Sequence, residues 1–352
     1  MEPIQLGPLR VWPFGLAVAV LLLPFYALAV RGMKKSGLSR ETASWFALVS
    51  LPLCLLLSRF SWCLLNLDQL IGRRDPGVFF RFSEGGFLLW GAVAGVPAAA
   101  ALAGKITKQP AGKIADSVVL PLCLLLCALR LLGGLLFRDL GIGLALEEWF
   151  APWETDPASR YSLFRPENWS FFERFPFAVL DYYDTWCWAV FVLQALWAGI
   201  CALLLRCVSA APGGKTVLFF LLYAAGSIVT ETMLIGGYIP VLPWLGFVKA
   251  NLVLWSAALL VVFAVCLRRL PAKLRLGSAL APAAVFLTAA GVTATAEFAA
   301  FEKKIPEIAW LPADAWHLLT ALAWLFFLLS FRALWRKAFI PENPQMTGES
   351  RS

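Results

Sequence analysis

Histidine is nearly absent from this chain: His317 is the one imidazole in 352 residues. The eight cysteines (Cys54, Cys63, Cys123, Cys127, Cys187, Cys201, Cys207 and Cys266) contain no C-x-x-C pair, and all lie within or at the edge of apolar stretches. Structural zinc draws on clustered Cys and His at short spacings, so neither a metal site nor a disulfide framework is expected, and no cofactor is implied. Such cysteines act as small hydrophobes in helices. Charge is scarce as well, at 15% of residues against 60% hydrophobic, with a mean hydropathy of +0.75. No soluble domain of this size hides that much apolar surface, whereas a bundle in lipid need not hide it. The fold class expected is all-α, a polytopic transmembrane helix bundle.

Apolar runs of spanning length occur at about 11–30, 43–65, 87–103, 114–136, 178–205, 217–236, 245–267, 278–296 and 315–334, nine in all. Basic residues gather after alternate runs: Arg31, Lys34, Lys35 and Arg40 after the first, Lys105, Lys108 and Lys113 after the third, Arg206 and Lys215 after the fifth. Arg268, Arg269, Lys273 and Arg275 follow the seventh, and Arg336 and Lys337 the ninth. The net charge of +8 is therefore topological, placing the N-terminus outside and the C-terminus in the cytoplasm of a plasma (inner) membrane. It gives no reason to expect nucleic acid as a partner; anionic phospholipid fits better. Ala27-Leu28-Ala29 mimics a signal cleavage site, but the basic cluster just beyond it favours a retained first helix. The 16 Trp and 27 Phe cluster toward the run ends, where amphipathic rings favour the headgroup level.

The longest stretch between runs, Phe137 to Phe177, carries seven acidic and four basic residues with several prolines and aromatics, and is expected to form an outer cap. It includes a glycosylation-type triplet, Asn168-Trp169-Ser170. Six ionisable side chains within the apolar runs stand out as candidates: Arg59, Asp116, Arg130, Asp181, Asp184 and Glu231. A charge at membrane depth costs several kcal/mol, about 3 on insertion scales, so it persists where it pairs, faces water or holds a polar substrate. These residues make the expected functional centre intramembrane. Tyr223 and Glu231 stand eight residues apart, about two helical turns, and share a face. Asp181 and Asp184 have i, i+3 spacing, hence one helical face, either as a proton-sharing pair or as carboxylates at a helix start. Asp116 is expected to serve the start of its own helix.

Several motifs, in order, resemble the prolipoprotein diacylglyceryl transferase family. Leu6-Gly7-Pro8-Leu9 and Phe14-Gly15-Leu16 open the first helix, and Gly37-Leu38 opens the second, which carries Arg59 near its outer end. Gly85-Gly86 followed by Trp90-Gly91 stands in place of a G-G then H-G-G segment, and Arg130 in place of the arginine of G-R-x-G-N-F. Tyr223 and Glu231 match a tyrosine and glutamate at the same separation, and Gly237-Tyr238-Ile239-Pro240-Val241-Leu242-Pro243 resembles a G-Q-I-L-S-I-P turn. The chain departs from the pattern at Trp90 (histidine), Phe14 (tyrosine), Ser227 (arginine) and after Arg130, where G-N-F is missing.

The resemblance spans about residues 1–270 and implies a seven-helix membrane domain there. Two further helices (271–337) and a tail (338–352) follow it. It implies transfer of the diacylglyceryl group of phosphatidylglycerol, or another anionic phospholipid, to the thiol of a lipobox cysteine in a preprotein. Arginine suits such chemistry because its fork matches phosphate oxygens and it keeps its charge in a low dielectric. Arg130, Glu231 and Tyr223 are then the candidate catalytic residues, and Arg59, Gly85, Gly86, Asp181 and Asp184 the candidate substrate-binding residues. Each has a plainer reading: Arg130 and Glu231 as an interhelical ion pair, and Arg59 snorkelling to the interface. Two other functions stay open, a lipid-binding protein that has lost catalysis and a transporter.

Overall fold

The computed structural model describes residues 4–6, 9–11, 13–66, 76–82, 86–136, 142–143, 145–146, 169–181, 184–234, 249–297, 311 and 313–340. A small antiparallel hairpin (β1, Ile4–Leu6; β2, Leu9–Val11) precedes the first helix. Among the described residues nine helices are long and apolar enough to cross a membrane. They are α1 (Pro13–Lys35), α2 (Arg40–Leu65), α3 (Leu89–Thr107), α4 (Ala111–Leu136), α5 (Val190–Cys207), α6 (Gly214–Glu231), α7 (Ala250–Arg269), α8 (Ala272–Ala296) and α9 (Ala313–Phe339). The chain is a multi-pass membrane protein with an all-α bundle, as its composition requires.

The helices pack as membrane helices do, through small residues that let backbones close up. On α3, Gly91, Gly95, Ala99 and Ala103 recur at four-residue steps and are buried. A methyl group on Gly95 would lie 2.8 Å from the Cα of Cys54, and one on Gly91 would strike the Leu57 carbonyl, so α2 and α3 meet backbone to backbone. On α4, Gly134 receives the ring of Phe191 from α5. The centre of the bundle is α6, packed by α4, α5, α7 and α9. Aligned antiparallel to it, α9 touches both of its ends: the Trp335 indole donates to the Gly214 carbonyl at 3.0 Å, and His317 meets Thr232.

Asp116 caps a helix, though not its own. Its carboxylate accepts from the Gly213 and Thr216 amides at 2.8 Å each and from the Thr216 hydroxyl at 2.7 Å. It thus supplies from α4 the negative partner that the α6 N-terminus lacks. Sequence reasoning assigned it to the nearer helix start, but the loop 208–213 brings the α6 amides to it.

The fifth run divides in two. Its first part is not helical: Ala178–Leu180 (β3) and Trp186–Trp188 (β4) form an antiparallel hairpin, and α5 begins only at Val190. Asp181 and Asp184 are its turn rather than one face of a helix. The Asp181 carboxylate accepts from the Thr185 amide at 2.9 Å, its own amide donates to the Thr185 carbonyl, and Asp184 takes a left-handed φ of 59°. Aspartate suits both positions because its short carboxylate bonds the nearby backbone and tolerates that conformation. Of the expected cap, the described parts lie over the α5 start and α6 end, where Leu146, Ala178, Val190 and Met233 form a small apolar cluster. Asn168 falls outside the described residues.

Asp116→Ala removes three hydrogen bonds to a charged acceptor, so it is expected to destabilise the detergent-solubilised protein by about 2 kcal/mol. Asp116→Asn should recover part of this. Thermal unfolding of the purified variants measures both.

Candidate functional site

Helices of alternating direction bring the ends of α2, α4, α6 and α8 and the starts of α3, α5, α7 and α9 to one face of the bundle. Arg59, Arg130, Glu231, Lys249, Glu297 and His317 all lie toward this face. The opposite ends carry Lys34, Lys35, Lys105, Arg206, Arg268, Arg269, Arg336 and Lys337.

Arg59 is fully buried near the end of α2 and is bound to backbone. Its Nε donates to the Phe79 carbonyl at 3.3 Å, Nη1 to Gly86 at 3.2 Å and Nη2 to Arg81 at 3.3 Å, while the guanidinium lies 4.9 Å from the Trp62 ring centroid. It does not snorkel; it gathers the segment between α2 and α3 around itself. Gly86 permits this, since its φ is +76° and a methyl there would sit 2.5 Å from Nη1 and 2.7 Å from the Trp62 ring. Gly85 lies outside the described residues, as does the 237–243 turn. Trp90, at the histidine position of the resemblance, donates from its indole to the Leu254 carbonyl at 3.0 Å and so ties α3 to α7.

Arg130 is half-buried on α4, within hydrogen-bonding reach of the Tyr223 phenol and electrostatic reach of the Glu231 carboxylate. Its Nε is buried and has no hydrogen-bond partner among the described residues. Tyr223 is 2% exposed, stacked on Phe219 and edge-on to Trp255, each at 5.3 Å between centroids. These rings fix the phenol's direction. Glu231 is 5% exposed and accepts from the Asn251 side-chain amide at 2.9 Å. The expected face of Tyr223 and Glu231 therefore exists, and Arg130 of α4 turns toward it. Asp181 and Asp184, in their hairpin turn, are held by other contacts.

Sequence reasoning passed over Lys249, although it falls within the run 245–267. Lys249 is 1% exposed and donates to the carbonyls of Glu231, Thr232 and Leu234 at 3.1, 3.3 and 2.8 Å, at the end of α6. It also pairs with Glu297 at 3.2 Å, from the end of α8. One residue along α6, Thr232 meets His317 Nδ1 at 3.0 Å. Glu297 was missed because it stands one residue beyond the eighth run, and His317 was set apart by lying far along the chain. A cation bonded to the carbonyls of a helix end is favoured by the macrodipole, and no local spacing announces a partner 48 residues away.

The prolipoprotein diacylglyceryl transferase family model matches residues 2–269 of the chain. The chain belongs to that family. No curated protein matches it. The match ends at the last residue of α7, so α8 and α9, with Glu297 and His317, lie beyond the matched segment. Members of the family are transferases acting in lipoprotein biosynthesis, and the placement of Arg130, Tyr223 and Glu231 among membrane helices suits that class.

Removing one partner of a buried ion pair leaves the other charge uncompensated, at about 3–5 kcal/mol. Lys249→Met is therefore expected to lower the unfolding temperature strongly. Glu297→Gln, which keeps an acceptor for Lys249, should cost less, and thermal unfolding of the two in one detergent ranks them.

Proposed function

We propose that this chain transfers a diacylglyceryl group from phosphatidylglycerol to the cysteine thiol of a lipobox preprotein, at the outer face of a plasma membrane. The observation that carries this reading is Arg130: a guanidinium held among helices beside Tyr223 and Glu231, with a buried donor left unbonded. A phosphodiester supplies the acceptors such a group lacks.

In this reaction the thiolate sulfur attacks the glyceryl carbon bonded to the phosphate oxygen. The new S–C bond forms as the C–O bond breaks, and the electron pair leaves with glycerol phosphate. Arg130 neutralises the charge gathering on that phosphate, which is where electrostatic stabilisation acts most strongly. Glu231, oriented by Asn251, accepts the thiol proton, and Tyr223 orients the lipid headgroup by its hydroxyl. Arg59 and Gly86 contribute by shaping the mouth between α2 and α3. The positive-inside pattern supports the orientation that puts this site on the outer face.

A second reading, a lipid-binding protein without turnover, is favoured by one feature. Trp90 occupies the place of the family histidine with its indole bonded to Leu254, so no imidazole is present at that position.

The test is a transfer assay in liposomes containing labelled phosphatidylglycerol and a lipobox peptide. Label is expected on the peptide, abolished by Arg130→Ala and only partly kept by Arg130→Lys, which preserves charge without the fork. Glu231→Gln should slow transfer by about 10²-fold or more, and Asp181→Asn with Asp184→Asn should leave it near normal. No label with intact lipid binding would select the second reading.

A further inference from the structure

An apolar groove of about 410 Å³ runs between α5, α6 and α9. Its floor is α6, at Ala225, Gly226 and Val229, and its walls are Leu196 and Ile200 of α5 and Leu325 and Leu328 of α9. One wall is thus supplied by a helix beyond the family segment. We propose that this groove is a berth for one acyl chain of a bilayer phospholipid.

The groove is built rather than accidental. Trp197 lies against Gly226, where any larger residue would strike its indole, and donates from Nε1 to the Leu222 carbonyl at 2.9 Å. Trp324 on the facing wall is 1% exposed and donates to the Thr293 hydroxyl of α8 at 2.9 Å, which fixes α9 in place. Both walls are therefore anchored before anything enters, and a preformed site lowers the entropy lost on binding.

Size and placement select the occupant. From Ala225 to Met233 the groove follows α6 for about 12 Å at 1.5 Å per residue, close to the roughly 15 Å hydrocarbon depth of one leaflet. It lies in the half of the bundle that carries Glu231, and its walls open sideways: Leu196, Ile200 and Leu325 are 60%, 44% and 50% exposed. Its volume is that of a small-molecule pocket rather than of a surface for a further helix. At the end nearest Glu231 the apolar lining is interrupted by Thr230, with Gln194 buried behind it. There the Thr230 hydroxyl accepts from Gln194 Nε2 at 3.3 Å, and the buried Gln194 Oε1 has no partner among the described residues. A chain lying in the groove brings the glyceryl part of its lipid to these groups.

The experiment places the full-length protein in nanodiscs holding either phosphatidylcholine or phosphatidylglycerol with a mid-chain diazirine, followed by illumination and peptide mapping. Adducts are expected to concentrate several-fold on Leu196, Val229, Leu325 and Leu328 over outward-facing Leu48 and Leu287. Ala321→Phe and, separately, Leu328→Phe fill the groove and should remove that excess, while Leu322→Phe on the exposed face should not. Labelling in either disc supports the berth, and the pair shows whether a headgroup is selected. Equal yields on groove and outward leucines, or an excess that survives both filling variants, would overturn it. No turnover is needed, so the result is independent of the transfer assay.

Discussion

The end of α6 depends on one ammonium group. The carbonyls of Glu231, Thr232 and Leu234 lie where the regular hydrogen bonding of the helix runs out, only that of Glu231 being met among the described residues by a backbone amide, from Leu234 at 3.1 Å, and bilayer surroundings penalise acceptors left unmet. Lys249 satisfies all three from the start of α7. Its charge in turn calls for a carboxylate, which Glu297 provides from α8. The position of Glu231 and the seating of the last two helices thus follow from the same cation.

Three cations at the end of the bundle that carries Glu231 differ in how the fold holds them. Arg59, fully buried and bonded to three carbonyls, organises the segment that enters α3. Lys249 organises the segment that leaves α6. Between these two committed cations stands Arg130, whose buried Nε has no such bond, beside a phenol clamped by aromatic rings and a carboxylate oriented by an amide. An unbonded N–H on a guanidinium is one that a phosphate oxygen can take.

Much of the fold was legible because bilayer thickness imposes a length on apolar runs, and each of the nine runs holds a helix over most of its length. The errors arose where a local pattern had two meanings. Trp186-Cys187-Trp188 is as apolar as a helix start, but the turn formed by Asp181 and Asp184 folds it back onto Ala178–Leu180. Of the candidate site, Tyr223 and Glu231 lie on one helix, α6, as their spacing required, and Arg130 of α4 faces them. Lys249, Glu297 and His317 were invisible as partners because their bonds join residues far apart in the chain, and only tertiary packing reveals them.

Capping across helices also has a consequence for the order of synthesis. Asp116 is made before α6, so the amides of that helix meet a carboxylate already in the membrane. Lys249 is in the opposite position, because its carboxylate arrives 48 residues later, with the end of α8. As the chain emerges from its N-terminus, the ammonium at the start of α7 lacks its Glu297 partner until α8 inserts. The helices beyond the family segment therefore complete the assembly that precedes them, and the segment's own last helices reach their settled state only after synthesis has passed it.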